Sequence, residues 1–111
     1  MVEISEQHDN GILVLRPLGR INNDTSPEFQ TRLLNSVASS EAVLIDFSGV
    51  EYISSAGLRA LMMASKQSKA KNGRLGVAQL SPVVKEIFEI SRFSLVVQVF
   101  ESAAAAIAAL R

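Results

Sequence analysis

Apolar residues recur along this chain in two rhythms, one of strands and one of helices. Val2 to Gln7 alternates weakly and suits an edge strand, and Asp9-Asn10-Gly11 has the chemistry of a hairpin turn. Ile12 to Leu18 reads as the second strand, with Pro17 marking an edge or a bulge. Gly19 to Asp24 reads as a loop. Phe29, Leu33, Leu34 and Val37 then fall on one face of a helix. Two starts fit that helix: Thr25 with Glu28 in capping-box position, or Ser26 with Pro27 behind it.

The middle of the chain organises the rest. Ala42 to Ile45 is a short, continuous apolar run, the pattern of a strand buried on both faces, and Asp46 ends it. Ser48-Gly49 supplies a turn, and a small apolar group (Val50, Tyr52, Ile53) leads into Ser54-Ser55-Ala56-Gly57. A helix is predicted from near Ala56 to about Lys71, stopped by Asn72-Gly73, with Lys69 and Lys71 in its last turn. At 100° per residue, Leu58, Leu61, Met62 and Ser65 share its core side. Arg59, Met63, Lys66 and Gln67 share another face, beside Ser55. Met63 there is either a contact or a singly exposed apolar residue.

Arg74 to Ala78 predicts a further strand, and Ser81-Pro82 starts a helix with an apolar stripe of Val83, Ile87 and Ile90, Phe88 joining its edge. Leu95 to Phe100 predicts the last strand. Ser102 caps an alanine-rich helix in which Ile107 and Leu110 have something to bury. The whole predicts one α/β domain over 1–111: an N-terminal hairpin, a mixed and mostly parallel sheet, and about four helices. Sites in such sheets gather beyond the C-terminal strand ends, where the loops at 21–24 and 50–55 fall.

Composition narrows the possible chemistry. With 11 basic and 11 acidic residues the formal charge is zero, which argues against nucleic acid or an anionic membrane as the main partner. There is no cysteine, hence neither a disulfide nor a thiolate metal site. An acidic N-terminus in place of a signal peptide, and no apolar run near membrane-spanning length, point to a soluble cytoplasmic protein. His8 lies in a polar segment and reads as solvated surface. No P-loop, dinucleotide fingerprint, zinc-protease motif or Gly-x-Ser-x-Gly elbow is present, so no cofactor, metal or enzymatic activity is expected. Asp24, Asp46 and Glu51 read as solvated acids at strand ends. The serines at the second helix remain, with two futures: to cap it, or to carry phosphate where unpaired N–H groups and the dipole favour negative charge.

The residues around them settle on a family. Leu44-Ile45-Asp46-Phe47-Ser48-Gly49-Val50-Glu51-Tyr52-Ile53-Ser54-Ser55-Ala56-Gly57-Leu58 resembles the STAS domains of anti-sigma factor antagonists. Gly19-Arg20-Ile21-Asn22 is similar to that family's Gly-x-Leu-Asp loop, and Leu80 to Phe88 to its third helix. The resemblance implies a partner switch. The unphosphorylated domain binds a serine kinase that doubles as anti-sigma factor, of the ATP-binding histidine-kinase-like class, and frees the sigma factor. Phosphorylation breaks the complex, and a serine phosphatase resets it. Counted back from Gly57, the family's phosphorylated serine corresponds to Ser55. Ser54 and Asn22 stand where aspartates are usual, and Ala56 replaces a second hydroxyl. The implied partner surface takes in Asn22, Asn23, Asp24, Ser54, Ala56, Gly57, Arg59, Met63 and Lys66. Two other readings stay open: a non-switching STAS subunit of a transporter or signalling assembly, and a small hydrolase acting through Ser55.

Overall fold

The computed structural model describes residues 3–111, so Val2, expected to open the first strand, lies outside the described residues. Strands β1 (Glu3–Asp9) and β2 (Ile12–Ile21) form the expected hairpin. Its turn puts both Asn10 and Gly11 at positive φ, 53° and 82°, which matches the natural twist of the strands. There follow α1 (Ser26–Ser39), β3 (Ala42–Asp46), β4 (Val50–Ile53), α2 (Ser55–Ala70), β5 (Arg74–Ala78), α3 (Pro82–Ile90), β6 (Gln98–Phe100) and α4 (Ala103–Leu110). The sheet runs β1-β2-β3-β5-β6, antiparallel only at the hairpin, and β4 adds to β2. The mixed, mostly parallel α/β architecture with four helices is as the sequence predicts.

Burial alternates along the strands as a two-faced sheet requires. Leu13, Leu15, Val43, Ile45 and Val77 join the larger core, filled by Phe29 and Leu33 of α1, Leu58 and Leu61 of α2 and Phe88 of α3. Ile12, Val14, Leu44 and Ala78 face the other way, against Ala106 and Leu110 of α4. Alanines let α4 lie close: a Cβ on Gly76 would come within 2.8 Å of the Phe100 ring and 3.4 Å of Leu110.

Four expectations are corrected. Gly19 to Ile21, read as loop, continue β2, and the apolar group at Val50 to Ile53 is a strand beside them. Strand β2 outruns β3, which pairs only with Leu13 to Leu15. A tight turn, closed by the Val50 N–H donating to the Phe47 carbonyl at 2.9 Å, brings the chain back to fill the gap. Pro17 falls between the two stretches of β2, where no parallel neighbour is paired with it. In α3 the buried positions are Val84 and Phe88, with Ile87 packed against the core, while Val83 and Ile90 are exposed. The segment expected as a strand from Leu95 is a 3-10 turn over Phe93–Leu95, and only Gln98–Phe100 pair. Phe93 and Val97 plug the core there and Leu95 is left in solvent. In α2, Met62 is exposed, and Ala60 and Ala64 take the core side with Leu58, Leu61 and Ser65.

A fifth correction is one of chemistry rather than of shape: Asp46 is buried and not a solvated acid. Its carboxylate accepts from the Ser48 backbone N–H (2.9 Å), the Gln79 amide (2.9 Å) and the Arg16 guanidinium (3.1 Å). Burial alone pushes its pKa up, but these hydrogen bonds outweigh it and hold the group below its ordinary 3.8. A depressed carboxyl stabilises the fold above its unfolded pKa and loses that contribution as pH falls through the folded one. Asp46→Asn is therefore expected to cost stability at neutral pH, with the gap to wild type narrowing as pH drops below 3.8. Urea melts of both proteins at several pH values measure it, and a gap independent of pH would refute the assignment. The acids Asp24 and Glu51 are exposed, as is His8.

Candidate functional site

The C-terminal ends of β2 and β4 meet at one rim of the sheet, and each feeds a helix. From β2 the chain passes through Asn22 to Thr25 into α1, and from β4 through Ser54 into α2. The two exits are tied together by the Ser54 N–H, which donates to the Ile21 carbonyl at 2.8 Å. On the outer side of the paired strands the Arg20 guanidinium lies 4.7 Å from the centre of the Tyr52 ring.

The first expected start of α1 holds in position but not in bonding, since Thr25 stands at the N-cap without a side-chain capping bond. Asn22 organises the turn instead: its carboxamide oxygen accepts from the backbone N–H groups of Asp24 (2.9 Å) and Thr25 (3.1 Å). The Thr25 hydroxyl donates to the Arg20 carbonyl at 2.8 Å and accepts from the Asn22 N–H at 2.9 Å, so it makes no capping bond. An amide serves this turn as well as an aspartate would, without the charge.

At α2 the two serines divide the roles. Ser54 is the cap: it is buried, extended in backbone, and its hydroxyl accepts from the Gly57 N–H at 3.2 Å. The Leu58 N–H goes to the Ser54 carbonyl at 2.9 Å, which leaves the N–H groups of Ser55 and Ala56 for whatever lies beyond the helix end. Ser55 is the first residue of the helix and is exposed. Gly57 is fixed by packing, since a Cβ there would lie 2.7 Å from Ile53 and 2.8 Å from Ile21.

Of the residues assigned to a partner surface, Asn23, Asp24, Arg59, Met63 and Lys66 are exposed, and Asn22 and Ala56 are half-buried. Ser54 and Gly57 are buried and face the protein. They set the geometry of the helix start. Ser55, Arg59, Met63 and Lys66 lie along one exposed ribbon of α2, with Met62 at its margin.

One feature beside this ribbon escaped the sequence. A cleft of about 340 Å³ separates the first turns of α1 and α2, lined by Ser26, Pro27, Gln30, Thr31, Ala56 and Arg59. Ser26 offered a signal only as a possible cap. It is nearly buried, and the part that remains exposed lines the cleft. No group of three acidic or histidine residues arranged to hold a metal occurs among the described residues.

Comparison with known proteins places this site in context. Residues 3–106 match the model of the STAS domain family. A protein of Bordetella bronchiseptica named as an anti-sigma factor antagonist, BtrV, is 35% identical over 103 residues, covering 92% of this chain and 89% of its own. The crystal structure of an anti-sigma factor antagonist from Mycobacterium paratuberculosis superposes with a TM-score of 0.91 at 22% identity, over 100% of this chain and 95% of that one. The Bacillus cell fate determinant SpoIIAA in its phosphorylated form gives 0.72 at 14% identity, over 100% of both chains.

Proposed function

The chain belongs to the STAS domain family, and from that premise we propose that it is an anti-sigma factor antagonist switched by phosphorylation of Ser55. The observation that carries the reading is the division between the two serines: Ser54 is spent on the cap, and Ser55 stands exposed at the positive end of α2. The names of the relative and of the neighbouring structures support the class of partner, and the phosphorylated form of SpoIIAA supports the chemistry.

In this reading the unmodified domain docks α2 and the Asn22–Asp24 turn on an anti-sigma factor that is also a serine kinase. The kinase transfers the γ-phosphoryl group of ATP to the Ser55 oxygen. A new O–P bond forms, the bond to the β-phosphate oxygen breaks, ADP departs, and the hydroxyl proton is released. The product carries about −1.5 to −2 charges at a helix end that accepts them, so the fold survives and the partner, not the domain, rejects the change. A phosphatase hydrolyses the ester and restores the binding form. The rigid site, anchored by Ser54 to Ile21 and packed at Gly57, requires no conformational step of its own.

The test is incubation with the co-purifying kinase and ATP, followed by intact-mass and fragment-ion analysis. One phosphate on Ser55 and loss of the complex are expected. Modification of Ser54 alone, which would require the cap to open, would overturn the register.

A further inference from the structure

We infer that the Ser55 phosphate is captured by Arg59, at the mouth of the cleft between α1 and α2, so that phosphorylation also withdraws a cation from the partner surface. This rests on Ser55 being the phosphorylated residue and adds to it where the phosphate goes. Arg59 is one turn below Ser55 on the same ribbon, at i and i+4. Side chains on a helix lean toward its N-terminus, and an anion placed N-terminal to a cation at this spacing is the favoured order. A guanidinium meets phosphate oxygens in a two-pronged fork that an ammonium cannot make.

Three features of this chain prepare the seat. Arg59 has no acidic partner: the ion pairs among the described residues are Arg16 with Asp46 and Arg32 with Glu6. No carboxylate lines the cleft, whose donors are the Arg59 guanidinium, the hydroxyls of Ser26 and Thr31 and the amide of Gln30. Ser26 and Ala56 line this space, and the N–H groups of Ser55 and Ala56, unpaired within the helix, lie at the start of the helix that walls it. The charged groups nearby on other elements, Asp24 before α1, Glu28 on α1 and Glu51 on β4, are all exposed and outside the lining.

The switch then changes two charges at once. In the unmodified domain Arg59 and Lys66 flank Met63 and offer two cations to an acidic rim. In the phosphorylated domain Arg59 is turned back onto its own chain, and the dianion stands in its place.

Phosphoserine inserted at position 55 during translation gives the modified domain without any kinase, so the result is independent of whether a kinase acts there. Phosphorus NMR then titrates the second ionisation, ordinarily near pH 6. It is expected about one unit lower in the wild-type background than in Arg59→Gln, because an adjacent cation favours the dianion. Arg59→Lys should recover part of the shift. Lys66→Gln, which removes the same charge from further along α2, should leave the value in place. Equal titration of wild type and Arg59→Gln overturns the inference, and so does an equal displacement in Lys66→Gln. Thermal melts of each phosphoprotein show that the fold is kept.

Discussion

Met63→Asp is expected to lower affinity for the anti-sigma partner by two orders of magnitude or more and to leave the melting temperature of the free domain unchanged. Met63 is 41% exposed on α2, between Arg59 and Lys66 in sequence and on the same ribbon. A deformable apolar residue among charges makes a good centre for an interface, because it fills an irregular surface without demanding hydrogen bonds. A carboxylate buried there without a partner costs about 3–5 kcal/mol, and each 1.4 kcal/mol is about tenfold in affinity. The new acid lies four residues beyond Arg59 and three before Lys66, so it gains a helix-surface ion pair. That is worth only about 0.2–0.5 kcal/mol, too little to offset the penalty. In the free domain both effects are small. Calorimetric titration against the unmodified partner, together with a melt, separates them. Unchanged affinity would move the interface off this ribbon, and a lowered melt would make Met63 part of the core.

The largest expected loss of stability is at Phe88. Its ring is 1% exposed and meets Phe47 edge-on at 6.0 Å and Phe93 at 5.6 Å, so it is the keystone of an aromatic cluster under α3. Phe88→Ala removes those contacts and leaves a cavity, at a cost of about 3–5 kcal/mol. Domains of this kind have about 5–15 kcal/mol in all, so the variant should unfold at markedly lower denaturant. Val83→Ala and Ile90→Ala on the opposite side of the same helix should each stay within about 0.5 kcal/mol of wild type. Urea melts of the three proteins decide which face of α3 is the inner one. A large loss at Ile90 with none at Phe88 would reverse the packing.

That helix shows where sequence reasoning reaches its limit. Val83, Ile87 and Ile90 satisfy helical spacing, and so do Val84, Ile87 and Phe88. Periodicity fixes a helix but not its phase when apolar residues occupy both faces. The inner face packs on Phe47, an aromatic partner 41 residues before Phe88 that no local window sees, with Phe93 five residues after completing the cluster. The same holds at Val50 to Ile53. Four residues after a tight turn look like a passage to the next helix, and only the overhang of β2 beyond β3 makes them a strand. Asp46 looked solvated because its partners, Arg16 and Gln79, are 30 and 33 residues away in sequence.

The site was more legible. The small residues of Ser54 to Gly57 and the change of period at Leu58 locate a helix start from local signals alone, and the exposed face of Arg59, Met63 and Lys66 follows from 100° per residue. Which serine caps could be fixed only by the backbone, through the extended conformation of Ser54 and its bond to Ile21. The cleft beside Arg59 was hidden, since its two walls belong to different helices.

The pairing of the strands also governs how fast this molecule can assemble. The hairpin of β1 and β2 is the one ladder closed locally, and β1 buries little. The next neighbours are remote: Leu13 meets Val43, Val43 meets Leu75, and Gly76 meets Gln98. Each such closure orders a loop before its contacts repay the entropy, and the entropy grows only slowly with loop length. Equilibrium stability is therefore little taxed by the topology, while the folding rate bears the delay, as for mixed and parallel sheets generally. The remote closures converge on β3, whose five residues are all buried and which bonds to partners on both sides. The start of α2 at Ser55 depends on two of those closures, β3 against β2 and β4 turned back onto β2, so its geometry belongs to the finished sheet and not to the local segment.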